Sequence, residues 1–497
     1  MKPSCLKPED KAISQRAMVC PPQDKAIMKQ IYRIALENKI KLYLVGGYLR
    51  DIFLCRQKEN PDIDFCIDKN AISFGRKVAG KLRAGFVVLD RAHGTSRAVK
   101  KVKGKFYTLD FTDRRGKTLN DDLRHRDFTV NSFALELSEI FKNKNEVSLI
   151  DPYAGIKDLK SKTIRIVNKK AFDEDPLRIL RAFSLAAIFD FGIEKETLRL
   201  SSQKRKKLSA VSFERIREEL FKILGTADAF KYFSLMDNLG ILEIVMPEIN
   251  ITRNVQQGPY HHLDVWQHSL ETLRQLEIAL KGLTRNKDIR GYLNEIISAQ
   301  RRRLGLVKLG ALLHDIGKPQ AMRREEGKIK FHGHERAGLY LAEEIALRLK
   351  LSNDEIEALK KMVLWHLRPG YLADSEDLSD RAIFRYLRDT GNEAVSTLLI
   401  SLADQRATKG PLTSEESRAQ HEKLVAYLLK EYFRRKKEKK LPRLLGGDDL
   451  IKKFNLAPSP LIGKILSELE ELQAIGKIKT KKEALAAVKG ILKEGKK

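Results

Sequence analysis

The chain has 497 residues, of which 42% are hydrophobic and 32% are charged, and its formal net charge is +29. This composition is typical of a soluble globular protein of about three or four domains. The basic excess indicates a polyanionic partner such as nucleic acid, with a membrane surface as the other option. No apolar run approaches the roughly 20 residues of a spanning helix and the N-terminus has no apolar signal core, so we expect a cytoplasmic protein with no membrane partner.

Secondary-structure patterns change near Lys157. Before it, short β-rich runs alternate with helical stretches, as in a small mixed α/β domain. After it, nearly every segment has helical periodicity. We therefore predict five segments: an N-terminal extension (1–24), an α/β catalytic head (25–156), a helical neck (157–250), a histidine-rich helical domain (251–410) and a basic helical tail (411–497).

A glycine pair stands at the first predicted strand-to-helix turn of the head, in YLVGGYLRD. Gly46 and Gly47 allow a tight turn and a close approach to a ligand, and the helix that follows, which carries Arg50, directs its N-terminal amides toward a phosphate. Glycines alone are weak evidence for a nucleotide site. The acidic motif that follows strengthens this interpretation.

Two aspartates of the next predicted strand, Asp62 and Asp64 in DIDF, are two residues apart and project from one face. Paired carboxylates suit magnesium ions that carry substrate phosphates, and two such ions can activate an attacking hydroxyl and stabilise the leaving oxygen. Asp110, in YTLDF, is the best candidate for a third carboxylate. A lone DxD is more often an exposed strand edge or turn, but the upstream glycines favour catalysis by Asp62, Asp64 and Asp110.

Two later motifs carry residues suited to a nucleotide. In LRHRDFTVNSFAL, Arg126 can hold a triphosphate or ribose and Asp127 can orient it. In DEDPLRILRAF, Asp175 and Arg178 are three residues apart, so we expect them on one helical face after Pro176. A carboxylate and a guanidinium together can read the base edge of C or A. The alternative is an ordinary ion pair on a helix surface.

Six motifs, LVGGYLRD, DIDFCI, RDFTVNSFAL, DPYAGIKDL, EDPLRILRAF and SFERIREEL, occur in the order of the bacterial tRNA nucleotidyltransferase and poly(A) polymerase family, which this chain resembles. The C-terminal segment from LLGGDDL onward is also similar to the tRNA-contacting tail of that family. The resemblance implies a polymerase-beta-like head with Mg²⁺, the substrates tRNA, CTP and ATP, and Glu174 as the holder of Arg178. The full predicted nucleotide-binding set is Gly46, Gly47, Arg50, Arg126, Asp127, Asn131, Glu174, Asp175, Arg178 and Arg181.

Two departures from the family pattern leave the specificity open. His125 stands where the family usually has Arg, and only TDRRGKTLNDDLRH lies between Phe111 and Arg126. Members that add the whole CCA end usually have a longer flexible loop there, so addition of the two cytidines alone, beside a separate A-adding partner, is one interpretation. A bacterial poly(A) polymerase is an alternative that the basic tail supports. A phosphohydrolase whose head only binds RNA is an alternative of another class.

Seven of the ten histidines lie between His261 and His366. His268, His314, Asp315 and Asp404 match in order the ligands of an HD-type phosphohydrolase domain, and His334 and His366 are candidates for a second metal. Imidazoles with carboxylates suit a divalent transition metal such as Mn²⁺, Ni²⁺, Co²⁺ or Zn²⁺. The resemblance implies hydrolysis of 2′ and 3′ phosphates. Taken singly, each histidine is more simply a buried, hydrogen-bonded ring.

Basic runs at residues 203–207 and 434–440 are the predicted contacts with the tRNA backbone. Each alone is equally well explained as a solvated charge run. With the overall charge they favour a track that reads A-form shape and phosphate position, and binding that weakens steeply with salt. The residues assigned to this track are Lys204, Arg205, Arg434, Arg435, Lys436 and Lys437.

Overall fold

The structure, a computed structural model, describes residues 20–56, 58–142, 147–375, 378–438 and 442–494. Most of the predicted N-terminal extension therefore lies outside the described residues. The chain divides into two units, Met1–Ile223 with Leu235–Val245, and Leu224–Ser234 with Met246–Lys497. None of the described helices is both long and apolar enough to cross a bilayer.

The first unit begins with the predicted α/β head and continues into helices. Its elements in the head are α1 (Pro22–Glu37), β1 (Tyr43–Val45), α2 (Gly47–Phe53), β2 (Asp62–Ile67), α3 (Ala71–Leu82), β3 (Gly85–Asp90), β4 (Thr95–Val102), β5 (Lys105–Asp113), α4 (Leu119–Arg124), β6 (Ala134–Glu136) and β7 (Leu149–Ile150). The helical part that follows contains α5 (Gly155–Lys160), β8 (Thr163–Ile164), α6 (Ala171–Glu174), α7 (Arg178–Phe189), β9 (Gly192–Ile193) and α8 (Lys195–Lys204). Three more helices follow in the chain, α9 (Phe213–Leu224), α10 (Ala229–Asn238) and α11 (Leu242–Val245), and α10 contains residues of both units.

The head is built on a seven-stranded mixed sheet of order β3-β4-β5-β2-β1-β6-β7. Strands β2 and β5 pair in parallel, whereas β4 is antiparallel to β5 and β1 is antiparallel to β2. Alternation along β2 buries Ile63, Phe65 and Ile67, and the intervening Asp62 and Asp64 point to the other face. The predicted mixed α/β head is therefore confirmed.

Helix α3 covers one face of the sheet. Its apolar residues recur at helical spacing, and Phe74 packs edge-on against Phe111 of β5, whose ring stacks on Phe65 of β2. A Cβ at Gly75 of α3 would lie 2.5 Å from the Ser96 hydroxyl, so glycine allows the helix to approach β4 closely. The carboxylates of β2 therefore lie on the face opposite α3.

The second unit is helical apart from two short hairpins. Its elements are α12 (Val265–Leu283), α13 (Lys287–Asn294), β10 (Ile296–Ser298), β11 (Arg301–Arg302), α14 (Arg303–Leu313), α15 (Lys318–Ala321), β12 (Arg323–Glu325), β13 (Lys328–Lys330), α16 (His334–Arg348), α17 (Asn353–Trp365), α18 (Arg368–Ala373), α19 (Asp380–Thr390), α20 (Ala394–Ala407), α21 (Glu415–Lys437), α22 (Gly447–Phe454), α23 (Pro460–Ala474) and α24 (Lys481–Glu494). Helix α20 is buried on nearly every side, as its lack of a polar stripe requires.

The last three helices have a small apolar core of their own. Leu450, Ile465 and Val488, one from each helix, are among its buried members. Glu471 of α23 accepts hydrogen bonds from Arg381 and Arg385 of α19, which ties these helices to the rest of the second unit. The prediction of an all-helical region after the head is confirmed in outline, and the short strands β8 to β13 are the exceptions.

Candidate functional site

Three carboxylates converge on the open face of the head sheet. Asp64 of β2 lies directly opposite Asp110 of β5 in the parallel register, and Asp62 lies one pleat away. One oxygen from each of the three lies within 4.8 Å of the others. Gly46 has φ +73°, and a Cβ there would lie 2.8 Å from Oδ2 of Asp64, so the turn excludes any side chain at that position.

The electrostatics of this cluster favour a bound cation. Burial and the neighbouring Asp62 charge raise the pKa of Asp64 to about 6, despite the opposing effect of Arg126. The pKa of Asp62 is also raised, by burial and by Asp110. Crowded oxygen donors of this kind suit a hard divalent cation, whose charge would offset their repulsion.

Arg97 is a residue of this site that sequence reasoning missed. Its guanidinium donates two hydrogen bonds to Asp110, of 2.8 and 2.7 Å. The β4–β5 hairpin could have predicted this contact, because it turns at Lys103 and Gly104 and pairs Val102 with Lys105. Counting back from that turn places Arg97 opposite Asp110.

A pocket of about 310 Å³ adjoins Asp64 and collects predicted residues from both the head and the following helices of the first unit. Its volume is at the lower end of the range for small-molecule sites. Arg115 and Arg215, which the sequence did not single out, also line it. The lining residues are Val45, Asp64, Phe65, Thr112, Arg115, Asp122, His125, Arg126, Asp127, Asp175, Arg178, Arg181 and Arg215.

Asp127 is the centre of a buried polar network in this pocket. It accepts hydrogen bonds from Arg181 at 2.7 and 3.1 Å and from the Asn131 amide at 3.0 Å, and Asn131 in turn accepts one from Arg50 at 2.6 Å. Burial alone would raise the pKa of Asp127, but the Arg181 charge and these hydrogen bonds lower it to about 2. Arg50, Asn131 and Arg181 together hold the Asp127 carboxylate in place, and nucleotide binding by these residues stays a prediction.

The two residues predicted to read the base, Asp175 and Arg178, differ from the predicted geometry. Asp175 does not share a helix with Arg178, because it has extended backbone (φ −147°, ψ 102°) between α6 and α7. Pro176 explains this, since proline disfavours helical backbone in the residue before it. Both side chains nevertheless line the same pocket.

Arg178 is held by the chain around it. Its guanidinium donates to the backbone oxygen of His125 at 2.7 Å and to Glu174 at 3.3 Å, in agreement with the holding role expected of Glu174. Glu174 also lies 3.1 Å from the His125 ring nitrogen Nδ1. Asp175 accepts a hydrogen bond of 2.8 Å from Arg215. The pocket thus contains Arg178, whose guanidinium is fixed, and the Asp175 carboxylate, which accepts a hydrogen bond from the exposed side chain of Arg215.

In the segment between β5 and the Arg126 motif, only residues 114–118 lie outside regular elements. Strand β5 ends at Asp113, and α4 begins at Leu119 with a capping box between Thr118 and Asp121. Asp121 also accepts a hydrogen bond from the Lys117 amide. The connection is therefore short and internally bonded, as its sequence length predicted.

The second unit holds four predicted ligands in one group, formed by His268, His314, Asp315 and Asp404. Nε2 of His268 lies 2.8 Å from Oδ1 of Asp404 and 3.7 Å from Oδ2 of Asp315. Nε2 of His314 lies 3.1 Å from that same Asp315 oxygen. His314 and Asp315 follow the end of α14 at Leu313 and lie in the turn that leads to α15.

Asp315 also belongs to a second group. Its other oxygen, Oδ1, lies 3.1 Å from Nε2 of His334 and 3.6 Å from Nε2 of His366. Nδ1 of His314, His334 and His366 each lies within 2.9 Å of the backbone oxygen three residues earlier. Because a carbonyl only accepts, Nδ1 carries the proton and Nε2 is available to a metal.

A buried atom at the centre of these groups supports a metal site. Nε2 of His314 makes no well-directed hydrogen bond with any residue that the structure describes, although Oδ2 of Asp315 lies 3.1 Å away. Burial would lower the pKa of His314, but the Asp315 charge outweighs it and raises the pKa to about 10, so metal binding must release a proton. Lys318, which the sequence did not single out, places Nζ 2.6 Å from Oδ2 of Asp315.

The predicted RNA-contacting residues are engaged with acidic or backbone groups of their own units. Lys204 pairs with Asp173, and Arg205 donates to the backbone oxygen of Ser202. The partners in the tail are Glu431 for Arg434 and Arg435, Glu295 for Lys436 and Asp288 for Lys437. These exposed pairs are weak, and phosphate binding by these residues stays a prediction.

Comparison with known proteins agrees with this architecture. Residues 42–165 match the Poly A polymerase head domain, 190–252 the probable RNA and SrmB-binding site of polymerase A, 265–409 the HD domain, and 342–488 the putative tRNA nucleotidyltransferase domain 2. The A-adding tRNA nucleotidyltransferase of Deinococcus radiodurans is 31% identical over 90% of this chain and 94% of its own length. The CC-adding tRNA nucleotidyltransferase of a Synechocystis strain is 28% identical over 94% of this chain and 98% of its own.

Solved structures share the fold at lower identity. A complex of a CCA-adding enzyme with ATP aligns with TM-score 0.65 at 22% identity, covering 97% of this chain and 99% of that one. The Thermotoga maritima CCA-adding enzyme complexed with tRNA aligns with TM-score 0.64 at 22% identity, covering 96% and 98%. The fold and site define a polymerase-beta-like nucleotidyltransferase with an HD domain. The chain belongs to the tRNA nucleotidyltransferase family, which confirms the resemblance predicted from its motifs.

Proposed function

We propose that this chain is a template-independent enzyme that adds C, A or both to the 3′ end of tRNA, with CTP and ATP as nucleotide donors. The observation that carries this proposal is the carboxylate cluster of Asp62, Asp64 and Asp110 beside a pocket lined by Asp175 and Arg178. The poly(A) polymerase alternative is not supported by the relatives, which are tRNA enzymes. A cytoplasmic location follows from the proposed substrates.

The proposed reaction is an in-line displacement at the α-phosphate of the nucleotide. The terminal 3′ hydroxyl of the tRNA loses its proton and attacks phosphorus, and the bond to the β-phosphate oxygen breaks to release pyrophosphate. Asp62, Asp64 and Asp110 would hold Mg²⁺, which supplies charge stabilisation at the attacking and leaving oxygens. Asp127, fixed by Arg181 and Asn131, keeps the adjoining pocket in shape.

Base selection in this proposal uses protein side chains in place of a template. Asp175 can accept a hydrogen bond from the exocyclic amine of C or A, and Arg178 can donate to a ring acceptor. Uracil and guanine present a carbonyl where C and A present that amine, so they would leave the Asp175 oxygen without a donor. Arg126, which lines the same pocket and pairs with Asp122 at 3.1 Å, would contact the triphosphate.

The direct test is extension of three tRNA transcripts that end at the discriminator base, at C and at CC, each supplied with CTP, ATP or both. The short connection at residues 114–118 favours addition of C to the first two transcripts and no use of ATP on any of them. Use of ATP only on the transcript ending in CC would identify an A-adding enzyme, and completion of CCA would identify a full CCA-adding enzyme. Absence of all incorporation would contradict the proposal.

The HD domain supports a second candidate activity, hydrolysis of 2′ or 3′ phosphates by a divalent transition metal such as Mn²⁺, Ni²⁺, Co²⁺ or Zn²⁺. The specific observation is that Asp315 offers one oxygen to each of two ligand groups. Adjacent metals in such an arrangement suit phosphate ester hydrolysis. This reaction would clean a damaged tRNA end before nucleotide addition.

Titration with Mn²⁺ in saturating Mg²⁺ should reveal two Mn²⁺ sites per chain. Asp315→Asn should weaken Mn²⁺ binding at both sites by at least about 10-fold, because each oxygen of Asp315 belongs to a different group. His366→Ala should remove only the second site. Both variants should still incorporate nucleotides, which controls for folding of the chain, and a full Mn²⁺ site surviving in Asp315→Asn would contradict the shared arrangement.

A further inference from the structure

The head sheet has one face that no described helix covers at its β3–β4 end. Helix α3 packs on the opposite face, against the inward side chains of Phe86, Ser96 and Phe111. On the open face, large apolar side chains are exposed to solvent: Val87 by 49%, Val99 by 36% and Phe106 by 47%. Apolar exposure along consecutive strands of one face is a common mark of an interaction site.

Strand register joins this apolar face to the carboxylate cluster. One row of directly paired residues runs Val87, Arg97, Asp110, Asp64 across strands β3, β4, β5 and β2. Paired residues of neighbouring strands point to the same face. A strand spacing of about 4.8 Å places Val87 roughly 14 Å from Asp64. The exposed apolar residues and the proposed site of nucleotidyl transfer therefore lie on one continuous surface of the sheet.

A second row extends the same surface. Val99 pairs with Thr108, which pairs with Asp62, and Lys101 pairs with Phe106 one pleat further along. The Lys101 ammonium lies 5.2 Å from the centre of the Phe106 ring. We call the set Val87, Arg97, Val99, Lys101 and Phe106 the open sheet face.

The charge of the residues around this surface indicates which kind of molecule would bind there. Residues 91–109 contain no Asp or Glu, and strand alternation places two of their basic residues, Arg97 and Lys101, on the open face. An exposed aromatic ring with basic neighbours is what single-stranded nucleic acids use, since bases stack on the ring and phosphates contact the ammonium groups.

We propose that the open sheet face binds the unpaired 3′ end of the acceptor RNA and delivers its terminal hydroxyl to the carboxylate cluster. The inference rests on the proposed nucleotidyl transfer and adds the location of the attacking strand. The pocket that contains Asp64, Asp175 and Arg178 holds the nucleotide on one side of the cluster. The RNA end, lying over Phe106 and Val99, approaches the same carboxylates from the β4–β5 side, which keeps the two reactants apart until their reacting atoms meet.

Fluorescence anisotropy in EDTA, where no turnover occurs, tests this binding without relying on activity. The probes are an RNA hairpin with three unpaired 3′ nucleotides and the same hairpin with a blunt end. Phe106→Ala should raise the Kd of the overhang hairpin about 10-fold and leave the blunt hairpin within about 2-fold. Phe106→Tyr, which keeps the ring, should bind like the unchanged chain, and so should Tyr340→Ala, a control at an aromatic residue 68% exposed on α16.

Steady-state kinetics give an independent readout. Phe106→Ala should raise KM for the RNA about 10-fold with KM for CTP or ATP unchanged, and Lys101→Ala should lower the salt-dependence slope of RNA binding by about one. Equal binding of the overhang hairpin by Phe106→Ala and the unchanged chain would overturn the proposal. So would an equal loss on both hairpins, or a changed oligomeric state in Phe106→Ala, which would make this face an interface between copies. Failure of the unchanged chain to incorporate nucleotides would count against the proposed function, whereas the anisotropy result would stand on its own.

Discussion

Asp64→Asn should lower kcat for nucleotide incorporation by about 10³-fold, which corresponds to roughly 4 kcal/mol of transition-state stabilisation. The amide keeps the shape of the side chain but removes the charge that a bridging cation requires. Asp64 lies opposite Asp110 and against the Gly46 turn, so no other described carboxylate is placed to replace it. Single-turnover extension of a tRNA transcript with saturating nucleotide and Mg²⁺ measures the effect.

Asp68→Asn is the matched control for that substitution. Asp68 follows the end of the same strand, its side chain is 69% exposed, and it pairs with Arg114 away from the cluster. Incorporation should therefore be nearly unchanged, and Mn²⁺ binding by the HD domain should be normal in both variants. Activity of Asp64→Asn within a few fold of the unchanged chain would refute the carboxylate assignment.

Asp175→Ala should relax the choice of base. Loss of the acceptor for the exocyclic amine should reduce the preference for C or A over U and G by roughly 5- to 150-fold, the equivalent of about 1–3 kcal/mol. The change should appear mainly as lower kcat/KM for the correct nucleotide. Competition of each correct triphosphate with UTP and GTP on one transcript gives the ratio directly.

Arg215→Ala separates base reading from the loss of an ion pair. Arg215 is the partner of Asp175 at 2.8 Å, and its side chain is 52% exposed. If the pair were only a surface contact, the two substitutions would behave alike and neither would alter selectivity. We expect Arg215→Ala to keep most of the discrimination, because Asp175 retains its hydrogen bond from the Leu177 amide.

The short-range features of the head were predictable because they depend on local chemistry. The Gly46 turn and the Asp62–Asp64 alternation follow from glycine conformation and strand periodicity, whereas the parallel pairing that sets Asp110 opposite Asp64 is a long-range contact. The Asp175 error shows the limit of spacing arguments. Two residues that are three positions apart share a helical face only if both lie within the helix. Pro176 disfavours helical backbone at Asp175, so α7 begins only at Arg178.

Long-range pairing explains what the sequence could not provide. The order of the HD ligands was visible, but the use of both Asp315 oxygens depends on how α14, α16 and α17 pack around one carboxylate. The same holds for the tail, where Lys436 and Lys437 contact acidic residues 141 and 149 positions earlier in the chain. A run of like charges in a sequence carries no information about such partners.

The Arg97–Asp110 pair has a consequence for assembly of the active site. A cluster of three carboxylates would ordinarily oppose its own formation, and Arg97 supplies an internal counter-ion that reduces this repulsion. The three carboxylates can therefore lie together in the folded head before any metal binds. A divalent cation held there would have to compete with the Arg97 guanidinium for Asp110, so the strength of this ion pair would tune the affinity of the site for metal.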